Sequence, residues 1–78
     1  MMQACNLFRR RGTEDVYCAV PEDRIVPSFL KGHLWEFAGK LDERSAWPAG
    51  FNPTAAQAGI RYNGYYVFQR VPAPREVA

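Results

Sequence analysis

The residues with most chemical potential in this sequence are three consecutive arginines at positions 9 to 11. Successive side chains of a strand point to opposite faces, so a strand here places Arg9 and Arg11 on one face. If the first and last strands of the sheet are neighbours, these two also share that face with Arg70 or Arg61. Arginine side chains of this kind, with tyrosines beside them, predict a binding surface rather than a catalytic centre.

Tyr17 and Tyr66 are the aromatic residues that we expect beside these arginines. The predicted interaction surface comprises Arg9, Arg11, Tyr17, Tyr66 and Arg70. Tyrosine and arginine are both enriched at protein interfaces, which favours a protein partner or a second copy of the chain.

Single-stranded nucleic acid is the alternative partner for this surface. Cations can contact its backbone and aromatic rings can stack on its bases. Residues 63–68 also echo the glycine and alternating aromatics of an RNA-recognition motif. The glycine spacing and the order of elements differ from that fold, so we favour the protein interface.

The groups that enzymes and metal sites need are sparse. His33 is the one histidine of the chain, and no Ser-His or Cys-His relay follows from its spacing. The sequence has no zinc-ligand spacing and no glycine loop for a phosphate. We therefore predict no enzyme, no cofactor, no metal and no small-molecule ligand. A cleft around His33, Glu36 and Asp42 is the third hypothesis, although an arginine on a neighbouring strand is the expected partner of Glu36.

Composition limits the chain to one small domain. It has 78 residues, a net charge of +2 and 14% aromatic residues. The near balance of charges does not indicate nucleic acid or an acidic membrane. Two cysteines and one histidine offer little for disulfides or metals, so an aromatic core or oligomerisation must supply stability. No apolar run approaches the length that spans a bilayer, and we expect a cytoplasmic protein with Cys5 and Cys18 reduced.

The elements that must position these residues are four strands and one helix. We expect strands at residues 4–11, 16–20, 34–41 and 65–71, and a helix at 53–63. Asn52 is the expected helix cap, Pro53 suits its first turn, and Gly64 ends it. In the helix we expect Ala55, Ala56, Gly59 and Ile60 on the inner face.

Two prolines keep residues 21–28 extended, with Ile25 and Val26 tucked beneath, and a short turn follows at 28–32. In the strand at 34–41, alternation places Trp35, Phe37 and Leu41 on one face. Gly39 suggests a bulge there or a close approach of the helix.

The sequence predicts an α+β fold in the order β-β-β-α-β, with a small antiparallel sheet of about four strands under one main helix. Residues 1–71 form the single domain, and 72–78 form a flexible C-terminal tail. The helix covers one face of the sheet. The other face is wet, covered by the middle segment, or covered by a second copy, and its candidate residues are Tyr17, Tyr66 and Phe68.

The layout of short motifs resembles a family of small, uncharacterised proteobacterial proteins. The motifs are Phe8-Arg9-Arg10, then Tyr17-Cys18-Ala19-Val20-Pro21-Glu22, then Ile25-Val26-Pro27, then Trp35-Glu36, then Ala56-Gln57 through Ile60 to Gly64-Tyr65. The similarity extends from residue 6 to about residue 68, and the segment 44–51 departs from the more acidic family pattern. It implies a bacterial, cytosolic, single-domain protein and carries no known activity, substrate or catalytic residue.

Overall fold

The computed structural model describes residues 4–13, 15–42 and 50–70. The strands are β1 (Cys5–Arg10), β2 (Val16–Pro21), β3 (Trp35–Leu41) and β4 (Tyr66–Gln69). A 3₁₀ turn spans Ser28–Lys31, and the helix α1 spans Pro53–Asn63. The predicted α+β class and the order β-β-β-α-β are confirmed.

The four strands form one antiparallel sheet in the spatial order β3-β1-β2-β4. β1 and β2 make the central hairpin, in which Cys5 lies opposite Pro21 and Arg9 lies opposite Tyr17. The first and last strands are therefore not neighbours, because β2 lies between β1 and β4.

The helix packs on one face of the sheet and closes what we call the helix-side core. Its buried residues are Cys5, Leu7, Ala19, Leu41, Phe51, Ala56 and Phe68. Tyr17, Ile60 and Tyr66 pack against them. Of the expected inner face of the helix, Ala56 is buried and Ile60 is half-buried, whereas Ala55 is exposed.

The expectation that Tyr17, Tyr66 and Phe68 lie on the face away from the helix is wrong. The β2–β4 register pairs Tyr17 with Phe68 and Ala19 with Tyr66, so all of them share the helix side. The chain enters β4 directly from the helix, and this brings Tyr66 beneath it. A Cβ at Gly59 would lie 3.2 Å from the Tyr66 ring, which shows how closely helix and strand approach.

The opposite face is covered by the connector, residues 22–34, which was one of the three predicted alternatives. The connector-side core buries Cys18, Val20 and Leu30, and Val26 packs against it. Ile25 was expected to be tucked in as well, but it is 89% exposed. The half-buried Val26 turns inward beside it, while the Ile25 side chain faces solvent.

A β-bulge divides β3 between the two cores. The register against β1 shifts between Leu7 and Phe8, which leaves Ala38 out of the ladder. Gly39 has φ +120°, a conformation that side chains rarely adopt, and the predicted bulge is confirmed. The prediction that Trp35 and Leu41 share a face is wrong: Trp35 packs on the connector side and Leu41 lies in the helix-side core.

The two cysteines lie on opposite faces of the sheet, and both are buried thiols that are not in a disulfide. Burial raises the pKa of the Cys5 thiol to about 11, with smaller contributions from Glu22 and Asp23. Burial also raises the pKa of Cys18 to about 12, against a backbone hydrogen bond from Tyr66 that lowers it. The expectation that the sulfurs are too far apart to form a disulfide is confirmed.

The predicted tail at 72–78 and Trp47 lie outside the described residues, whereas Phe51 is buried in the helix-side core. In the part of the chain that the structure describes, no helix combines the length and apolar character needed to cross a membrane.

The N-cap of α1 gives a first prediction. The Asn52 side chain accepts a hydrogen bond from the Ala55 amide at 3.0 Å. Asn52→Ala leaves that amide without this acceptor and should lower the free energy of unfolding by about 1 kcal/mol. Urea denaturation followed by circular dichroism measures this. The control, Gln57→Ala on the exposed side of the same helix, should change it little, and equal midpoints for both variants would contradict the cap.

The buried thiols give a second prediction. At pH 8 both thiols stay protonated in the folded chain, so alkylation by iodoacetamide should be much slower than in urea-unfolded protein. Because both folded-state pKa values lie above the ordinary 9.0, these thiols leave stability unchanged below pH 9. Stability falls as the pH rises from 9.0 to about 11 for Cys5 and to about 12 for Cys18, because only the unfolded chain loses these protons in that range. Equal alkylation rates in folded and unfolded protein would show that the thiols are accessible.

Candidate functional site

An open depression lies at the end of the sheet where the β1–β2 hairpin turns. It has a volume of about 500 Å³, and we call it the arginine depression. Its lining residues are Arg9, Arg10, Arg11, Gly12, Thr13, Asp15, Tyr17 and Arg70. Four of the five predicted interaction residues, Arg9, Arg11, Tyr17 and Arg70, are therefore brought together at one place.

Backbone hydrogen bonds beyond the strands hold the walls of the depression. The Arg11 amide donates to the Leu34 carbonyl at 2.6 Å, which continues the β1–β3 pairing past the end of β1. The Arg70 amide donates to the Asp15 carbonyl at 2.6 Å, which continues the β2–β4 pairing in the same way. Arg70 thus reaches the depression through the loop residue Asp15 and not through a neighbouring β1.

Glu36 links two of the arginines. Arg11 Nε lies 3.3 Å from Glu36 Oε1, and Arg9 Nη2 donates to Glu36 Oε2. The three side chains share the helix side because Arg9 pairs with Glu36 in the β1–β3 register. The prediction of a cross-strand arginine partner for Glu36 is confirmed, and both carboxylate oxygens are used.

Arg10 and Arg70 are placed differently from this linked pair. Both are exposed, and among residues 4–13, 15–42 and 50–70 no carboxylate lies within ion-pair distance of either. Their guanidinium donors therefore face solvent at the rim of the depression. A guanidinium group in this situation is available to an incoming anion.

Tyr17 forms the aromatic part of the lining. It is half-buried and stacks on Phe68, with ring centroids 5.7 Å apart and planes 18° from parallel. Tyr66 stacks on Phe68 as well, at 5.6 Å, and also meets Phe51 edge to face. Tyr66 therefore belongs to the helix-side core and not to the arginine depression, which corrects its predicted place in the interaction surface.

Sequence reasoning missed Arg10, Thr13 and Asp15. Strand alternation predicts Arg10 on the face of β1 opposite to Arg9, and the structure places it there. Because Arg10 is the last residue of β1, it nevertheless lines the depression. Asp15 has φ +67°, a left-handed backbone that turns the loop back toward β2. An Asp in the short polar loop between the two strands was the available signal, because Asp and Asn tolerate this conformation.

The residues of the third hypothesis do not meet in one cleft. Glu36 and Asp42 lie at opposite ends of β3, about 20 Å apart at the usual rise of an extended strand. Glu36 is engaged by two arginines, and His33 is exposed. Within the described residues, no group of three His, Cys, Asp or Glu side chains could hold a metal ion.

Comparison with known proteins gave no match to a family model, to a curated protein or to a solved structure. The site is therefore interpreted from its own geometry.

The Glu36 cluster gives a third prediction. Glu36→Gln removes the charge that holds Arg9 and Arg11 together and should lower the free energy of unfolding at low salt by about 0.5 kcal/mol, as expected for a partly exposed ion pair. The control is Glu22→Gln, which removes the carboxylate that lies 2.7 Å from Lys40 Nζ. We expect a smaller decrease there, because Glu22 contacts one exposed amine.

Paired denaturation curves for these variants, at low salt and at 1 M salt, make the measurement. High salt should remove the difference, since it screens exposed charges. If Glu36→Gln and Glu22→Gln have equal effects at low salt, Glu36 does not link the two arginines in solution.

Proposed function

We propose that this chain is a non-enzymatic binding module that recognises an acidic segment of a protein partner through the arginine depression. The observation that carries the proposal is the pair Arg10 and Arg70, which no described carboxylate engages. Exposed guanidinium groups around a concave surface suit carboxylates and phosphates, because their planar donors form paired hydrogen bonds.

Glu36 supports this function by orienting the other two arginines. Arg9 and Arg11 are already held on one carboxylate, with half or more of each side chain still exposed. A ligand that contacts side chains already held in this way costs less rotamer freedom than one that must order an unrestrained arginine. The depression therefore combines two oriented arginines with two available ones.

A second copy of the chain is one form that the partner can take. The described acidic residues Glu22, Asp23 and Asp42 follow the ends of β2 and β3 that lie away from the arginine depression. Contact between unlike ends of two copies is a heterologous interface, which leads to rings or open chains rather than a symmetric dimer. Sedimentation velocity distinguishes this from a foreign partner.

Single-stranded nucleic acid is the second candidate, because Tyr17 offers a ring beside four arginines. The arrangement suits it less well. Such proteins use successive rings along a basic groove, whereas Tyr17 is stacked on Phe68 and Tyr66 lies under the helix.

The cellular setting is part of the same proposal. We place the module in the cytoplasm of a bacterium, in line with the resemblance of its sequence motifs to small proteobacterial proteins. Cys5 and Cys18 are reduced thiols, which is compatible with a reducing compartment.

The fourth prediction compares two double variants that have the same net charge. Arg10→Gln with Arg70→Gln should lower the amount of partner captured from a cell lysate at least about tenfold, because each charge-assisted contact contributes about 1.5–3 kcal/mol. The matched control is Arg24→Gln with Arg61→Gln. It removes the same two charges from exposed residues outside the depression. Capture is quantified by mass spectrometry with and without nuclease, and circular dichroism confirms that both variants fold.

Loss of capture in the first variant alone, unaffected by nuclease, supports the proposal. Equal losses in both variants would show that net charge and not the depression governs binding. Capture that disappears with nuclease would assign the surface to nucleic acid instead.

A further inference from the structure

We propose that the arginine depression recognises a phosphate monoester carried on a side chain of the partner, so that phosphorylation of the partner controls binding. This inference rests on the proposed function and names the anionic group that the depression is built to hold.

The number and placement of the arginines favour phosphate over carboxylate. Arg9 lies on the helix side of β1 and Arg10 on its other face, while Arg11 and Arg70 follow the ends of β1 and β4, and all four line the depression. A carboxylate has two oxygens and is satisfied by one paired contact with a guanidinium. A phosphate monoester has three terminal oxygens and can accept from several arginines that converge on it.

The charge of the depression fits the same ligand. Among the described residues, four arginines and Asp15 line the depression, and Glu36 pairs with two of those arginines, which leaves a net charge of about +2. The remaining positive charge is close to what a phosphate monoester neutralises at pH 7, since it carries about −1.5 to −2.

The uncharged lining adds donors of the right kind. The hydroxyls of Thr13 and Tyr17 can each donate a hydrogen bond, and both residues line the depression. Of the lining residues that the structure describes, Asp15 alone carries a charge that opposes an anion. It provides a test in which the inference predicts stronger binding rather than a loss.

A phosphorylated side chain suits this geometry better than a nucleic-acid backbone. The arginines are gathered at one end of the sheet and do not form a track along it. A compact cluster of arginines suits one doubly charged group. A nucleic-acid backbone presents a series of singly charged phosphates and needs a longer basic groove.

The experiment uses the full chain labelled with ¹⁵N and three peptides of the same alanine-rich sequence. Their central residue is phosphoserine, glutamate or serine. We expect the phosphoserine peptide to bind at least about tenfold more tightly than the glutamate peptide, since it adds charge-assisted hydrogen bonds. The amide shifts should concentrate at Arg9–Arg11, Thr13, Tyr17 and Arg70. The serine peptide should not bind.

The outcomes separate this inference from the proposed function. Equal binding of the phosphoserine and glutamate peptides overturns the phosphate inference and leaves the acidic-partner function in place. If neither peptide binds while the depression is still required for capture from lysate, only the phosphate inference falls. If neither peptide binds and capture from lysate does not require the depression, both the phosphate inference and the proposed function are overturned. Tighter binding of inorganic phosphate or of an oligothymidylate than of the phosphoserine peptide also overturns the inference.

Asp15→Asn is the variant that should improve binding, and this is the fifth prediction. Asparagine tolerates the φ of +67° at this position, so the substitution removes the charge and keeps the loop. We expect the dissociation constant of the phosphoserine peptide to fall about two- to fivefold, as the loss of one nearby like charge implies. The control Asp23→Asn removes an equal charge beyond the far end of β2 and should leave it unchanged. An unchanged constant for Asp15→Asn, or equal gains in both variants, would overturn the inference.

Discussion

Where β3 runs beside β1, Ala38 drops out of the ladder and Gly39 takes a φ of +120°. Without this bulge, the alternation of β3 would put Trp35 and Leu41 on the same face, and one of the two cores would lack its apolar residue from this strand. With it, Leu41 closes the helix-side core while Trp35 packs under the connector. Glu36 then falls on the helix side, between Arg9 and Arg11.

The central hairpin is covered on both faces, which is how a chain of this size obtains an adequate core. Stacked aromatic rings connect that core to the arginine depression. Tyr17 stacks on Phe68, Phe68 on Tyr66, and Phe51 meets the last two edge to face. The ring in the depression is therefore held by the packing of the helix side, and its position does not depend on the loop alone.

The four arginines of the depression fall into two classes, one paired with a carboxylate and one not. Glu36 forms ion pairs with Arg9 and Arg11, and these contacts orient both side chains. Arg10 and Arg70 face solvent, and no described carboxylate pairs with them. A site with oriented and available donors side by side suits an anion with several oxygens better than it suits a non-specific electrostatic contact.

Local signals in the sequence determined the elements, because caps and turn residues act within a few positions of one another. Asn52 and Gly64 bound the helix as predicted, and Gly39 marked the bulge. Strand order and facing depend on contacts between distant residues, which local patterns do not contain. The sequence by itself therefore identified the arginine run and the fold class. Only the tertiary structure placed Tyr66 under the helix and brought Arg70 to the depression, because the β2–β4 register decides both.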